Sequence, residues 1–144
     1  MTGSSFGGGS GTALDQMPEP PSAAFLGYEL LSVDRAAQRI RVGFRATPAM
    51  FNPRGAVQGG FVAAMLDDAM GSMVVILSDG RDAPLSVDLH AQYLRPVAAG
   101  PLVCEAELVH RTKSTAFTRA ALYDEKGALL ATAVQTARLV AMTG

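Results

Sequence analysis

Asn52 to Gly71 reads NPRGAVQGGFVAAMLDDAMG, a turn-rich polar loop that runs through a glycine pair into an apolar stretch whose only charges are two adjacent aspartates. Apolar residues on nearly every side predict a helix inside the protein, from about Gly59 to Leu77, closed by the turn residues Ser78, Asp79 and Gly80. Asp67 and Asp68 thus stand where a carboxylate is costly unless it is paired or used. The Gly59-Gly60 start leaves backbone N–H groups open at the positive end of the helix dipole, where a developing oxyanion would be stabilised. Donors and a carboxylate together point to attack on a carbonyl.

Helical spacing places Gly60, Ala64, Asp67 and Gly71 on one stripe, and Phe61, Met65, Ala69, Ser72 and Ile76 on another. Asp67 therefore lies on a face of small residues, where a backbone or a narrow substrate can approach. It follows Gly59 by eight residues, which is about 12 Å along the axis. One carbonyl has to lie about 3 Å from both its attacking group and its oxyanion donor. If Gly59 and Asp67 serve the same carbonyl, they come from two copies of the helix, and the spacing predicts a site shared across a homodimer. Asp68 falls on a different face, where a structural hydrogen bond or a rim position is expected.

The chain has 144 residues, 49% of them apolar, enough for one domain with a substantial core. Its formal net charge of -1 leaves no basic excess for nucleic acid or an anionic membrane surface. The single cysteine, Cys104, excludes an intramolecular disulfide and reads as core packing in an alternating strand. The two histidines, His90 and His110, lack ligand spacing and read as surface residues on strands, so no metal is expected. Neither a basic-then-apolar leader nor a run of eighteen apolar residues occurs, and a cytoplasmic location without membrane attachment is the expectation.

Residues 1–22 are rich in Gly, Ser and Pro, and predict a disordered tail ahead of a folded domain at 23–144. Strand patterns follow at Gly27 to Asp34 and Arg39 to Arg45, a hairpin in which Ile40, Val42 and Phe44 alternate with polar or small residues. Beyond the helix come Pro84 to Leu94, with Val87, Leu89, Ala91 and Tyr93 in alternation, then Leu102 to Arg111, Ala116 to Tyr123 and Ala128 to Val140. One long helix among antiparallel strands predicts an α+β fold with the sheet wrapped around the helix.

The string Asn52-x-x-Gly55-x-Val57-x-Gly59-Gly60, Asp67 within an apolar helix, then Ser86-Val87-Asp88-Leu89-x-x-x-Tyr93-x-x-Pro96 resembles the hotdog-fold acyl-CoA thioesterases of the phenylacetate-degradation branch. The resemblance covers roughly Phe25 to Val140. It implies a long central helix wrapped by a curved antiparallel β-sheet, a homodimer with sheets joined edge to edge or a dimer of dimers, and hydrolysis of an acyl-CoA with a small, medium or aromatic acyl group. Coenzyme A enters as part of the substrate and no separate cofactor is implied. By the same resemblance Asp67 is the catalytic carboxylate, as general base or nucleophile, and Gly59 donates its N–H to the thioester carbonyl. Asn52 holds the attacking water or the carbonyl, and Ser86 assists on the carboxylate side. Gln58 stands where many members carry histidine, so acid–base chemistry at that position is absent here. Gln58 and Gly60 are expected at the substrate, and Arg54, Arg95, Arg111 and Lys113 are the candidate partners for coenzyme A's phosphates.

Each candidate has a plainer reading. Asn52 before a proline serves turns, a glycine pair serves close packing, and a serine heading a strand is more often an ordinary hydrogen-bonding residue. Two alternatives to the thioesterase are a non-catalytic acyl-CoA binding module, which would not need Asp67, and a hotdog hydratase or dehydratase, disfavoured because neither histidine sits at the mouth of the helix.

Overall fold

The computed structural model describes residues 4–142. Helix α1 is Pro21–Leu26 and helix α2 is Gly59–Leu77; the strands are β1 (Glu29–Asp34), β2 (Arg39–Ala46), β3 (Asp82–Tyr93), β4 (Gly100–Arg111), β5 (Thr115–Asp124) and β6 (Leu129–Ala141). Among the described residues all strand pairings are antiparallel and the sheet order is β1-β2-β4-β5-β6-β3, which leaves β1 and β3 as free edges. The fold is a hotdog: a six-stranded curved sheet around one long helix.

Helix α2 spans the predicted residues and buries Val62, Met65, Leu66, Ala69, Met70, Met73 and Ile76 against the sheet. Its mean hydropathy of 1.7 is high enough for a membrane span, but the sheet covers it and accounts for that composition. The helix stops where Asp79 and Gly80 turn left-handed (φ 54° and 78°). Gly80 N–H then donates to the Val75 carbonyl and Asp79 N–H to that of Ile76, satisfying the last turn. Arg35 adds a cation at this negative end, 3.0 Å from Asp79 and within reach of the Ile76 carbonyl.

Bulges bend four of the strand pairings, and the one in β3 decides the site. Ser86 pairs with Ala137 and Asp88 with Thr136, so Val87 is the extra residue. The expected alternation through Val87 is therefore corrected. Val87 is 68% exposed, while the bulge brings Ser86 onto the same inner face as Leu89 and Ala91, opposite the buried Ala137, Gln135 and Ala133.

The tail expectation is corrected as well; residues 1–3 lie outside the described residues. Leu14 is fully buried, Ala23 and Leu26 join the core, and Phe6 packs on Tyr28 with ring centroids 4.6 Å apart. The glycines that suggested disorder instead wrap Asp15, whose carboxylate accepts the N–H groups of Gly9, Ser10 and Gly11. A few apolar residues at the right places outweigh the composition of their neighbours.

Candidate active site

Asp67 lies on α2 facing the inner side of β3 and β6. Its Oδ1 accepts a hydrogen bond from Ser86 Oγ at 2.9 Å and another from Gln135 Nε2, which also donates to Ser86 Oγ at 3.1 Å. Oδ2 has no hydrogen-bond donor among the described residues, and Asp67 lines a cleft of about 380 Å³ walled by Ala63, Ala64, Val87 and Leu89. The small residues on this face of α2 leave the room, as the helical spacing required.

Gly59 and Gly60 open α2 behind Gln58, whose carbonyl accepts from Phe61 and Val62. Neither glycine's N–H has an acceptor among the described residues, so both are free at the positive helix end. Tyr93 donates its hydroxyl to the Gly59 carbonyl at 2.9 Å, and a Cβ at Gly59 would come within 3.1 Å of its ring. Only glycine fits there without moving the tyrosine. A second cleft, about 470 Å³, is lined by Gly59, Tyr93, Asn52, Arg54 and Arg95.

Asn52 accepts the N–H groups of Arg54 and Ala56 on its side-chain oxygen, at 2.9 and 3.3 Å, and so closes its own loop. That leaves the amide Nδ2 as the side chain's available group. The plainer turn role and a donor role are thus compatible in one residue.

Asp67 and Ser86 come together as expected, and so do Asn52, Arg54, Gly59 and Arg95. Gln58 and Gly60 sit exposed at the rim of the helix start. Arg111 and Lys113 do not join them within one chain. Arg111 pairs with Asp82 at 2.9 Å, at the far end of β3 from Tyr93, roughly 35 Å along the strand; Lys113 is exposed in the β4–β5 turn. Asp68 differs from expectation, because its Oδ2 is buried without a partner among the described residues. Burial, and then the charge of Asp67, pushes its carboxyl up to about 6.

Gln135 was not among the sequence candidates. It is 4% exposed, in the inner file of β6 with Ala131, Ala133, Ala137 and Leu139. A lone amide in a file of apolar residues was the available signal.

The fold and site are thus a hotdog sheet with a braced carboxylate on its helix and free N–H groups at the helix start. The family model for the thioesterase superfamily matches residues 54–131, and the chain belongs to that superfamily. Among solved structures, it is 35% identical to a phenylacetic acid degradation-related protein from Ralstonia eutropha JMP134, covering 88% of this chain and 95% of that one with a TM-score of 0.80. It shares its fold with the PaaI protein of the E. coli phenylacetic acid degradation operon, at 21% identity, 86% and 87% coverage and a TM-score of 0.76. A Streptococcus mutans UA159 protein bound to acetyl CoA has the same fold, at 17% identity, 81% and 91% coverage and a TM-score of 0.71. No curated protein matches the chain.

Proposed function

We propose that this chain is an acyl-CoA thioesterase that works as a homodimer, each site taking Asp67 from one chain and Gly59 from the other. The observation that carries the reading is the pair of clefts, one holding the braced carboxylate and the other the free N–H groups, both bordered by β3 or the segment just after it. The β3 edge has no partner strand among the described residues. An antiparallel pairing of two β3 edges reverses one chain relative to the other, so the Gly59 end of one meets the Asp67 region of its partner. The same reversal brings the Arg111 end of one β3 toward the Arg95 end of the other.

In the reaction, the Gly59 N–H and the Asn52 amide take the charge that develops on the thioester oxygen. Asp67 acts as general base on water or attacks as nucleophile. As base, Asp67 takes a proton from water while the new C–O bond forms and returns it to the sulfur as the C–S bond breaks. As nucleophile, its own oxygen forms the C–O bond, coenzyme A leaves as its thiolate, and water then cleaves the acyl–Asp67 anhydride to the free acid. Arg54 and Arg95 offer cations to its phosphates. Gln58 cannot titrate near neutrality, so in the general-base route Asp67 carries the proton.

The test is a panel of acyl-CoA thioesters, small, medium and aromatic, followed by thiol release. Turnover of at least one is expected. Binding of acyl-CoA without turnover of any would favour the binding module instead.

A further inference from the structure

The alternating pattern of β6 turns Gln135 inward at the level of the β3 bulge, and Leu89 is its cross-strand partner. Every donor proton around it is accounted for. The two amide protons of Gln135 go to Asp67 Oδ1 and to Ser86 Oγ, and the single Ser86 proton goes to the same Oδ1. Ser86 thus gives its proton to Asp67 and receives one from Gln135, so it has no proton left for a substrate. Oδ1 receives two donors while Oδ2 receives none among the described residues.

We propose that Gln135 is a positioning residue that, with Ser86, pins Oδ1 of Asp67 and so presents Oδ2 to the cleft as the reacting oxygen. A glutamine suits this task because it donates twice without carrying charge. Glutamate would set a second carboxylate against the first, and methionine would fill the space with no donor. The kinetic consequence rests on the thioesterase reading; the positioning itself does not.

The experiment compares wild type with Gln135→Met, which keeps side-chain length, and with Gln135→Asn, which stays polar but is too short to reach both partners. Each is expected to remain folded, to hold KM within about twofold, and to lose about tenfold to a hundredfold in kcat, the scale of a misplaced reacting group. In an Asp67→Asn background the same substitutions should cost nothing more, because the group they position is gone. Unchanged kcat, a loss confined to KM, or an equal loss in the Asp67→Asn background would overturn the proposal. A crystal structure of Gln135→Met decides the question without any activity. Asp67 is expected to leave its single orientation, and an unchanged carboxylate would overturn the proposal. A wild-type protein that hydrolyses no thioester would sink the functional reading alone, and the crystallographic result would still judge Gln135.

Discussion

Gly59 and Asp67 stand on the same helix yet line two different clefts, with no residue common to both. Their separation, about 12 Å along the axis, is a property of the helix that no side-chain rotation removes. One thioester carbonyl can therefore meet both only if a second chain supplies one of them. Mixing two inactive variants, Asp67→Asn and Gly59→Pro, after dissociation and reassociation should restore about a quarter of wild-type activity under random pairing. Proline is tolerated at a first helical position and removes the N–H, but the exposed Tyr93 ring must swing aside. Light scattering must show the proline variant to be dimeric. Dead heterodimers from two folded parents would refute the shared site.

The proposed dimer is tested at the bulge. Val87 is exposed on the free β3 edge, and a charge there should oppose edge-to-edge pairing. Val87→Asp is expected to weaken the dimer by about tenfold or more, a loss of about 1.4 kcal/mol, as read by light scattering across a dilution series. A variant as dimeric as wild type would place the interface elsewhere.

Asp68 makes stability depend on pH. Its folded carboxyl is raised to about 6 from 3.8, so between these values the folded state binds more protons than the unfolded one, and stability falls as pH rises through that window. Above about pH 6 the full penalty is in place, on the order of 2–3 kcal/mol. Asp68→Asn should melt higher than wild type at pH 8, with the gap closing toward pH 4. A constant gap at both pH values would show that the carboxyl does not titrate as described.

The N-terminal segment is stability-bearing if Leu14 is a core residue. Leu14→Ala should cost about 2–5 kcal/mol in denaturant unfolding. A loss below about 0.5 kcal/mol would return residues 4–22 to the mobile tail that their composition suggested.

Helix α2 was legible in the sequence because start, body and stop each carried a separate signal: Gly59-Gly60, the apolar run, and Ser78-Asp79-Gly80. The strands were legible to within about two residues because alternation marks a half-buried sheet. Helix α1 was not, since six residues beside a Gly- and Pro-rich stretch hold a helix only through packing. The carboxylate was found from its position on the helix, but its bracing was not. Reading straight alternation through Val87 puts Ser86 on the face opposite Leu89, and the bulge that reverses this is a register event between strands far apart in sequence. Gln135 went unnoticed for the same reason, because its partners are defined only once β3, β6 and α2 meet. The failed expectation for Asp68 has a simpler cause: helix geometry gives a face but not whether that face offers a donor.

The most direct test of the account is kcat for Asp67→Asn beside Asp68→Asn on whichever acyl-CoA the wild type turns over fastest, with thiol release as the readout. The amide keeps the size of Asp67 and its place beside Ser86 but can neither take a proton nor attack, so a loss of more than about a hundredfold is expected. Asp68→Asn, one residue away with no donor to its buried Oδ2 among the described residues, should stay within a few fold of wild type. Near-wild-type turnover by Asp67→Asn, or a larger loss in Asp68→Asn, would contradict the assignment of the carboxylate.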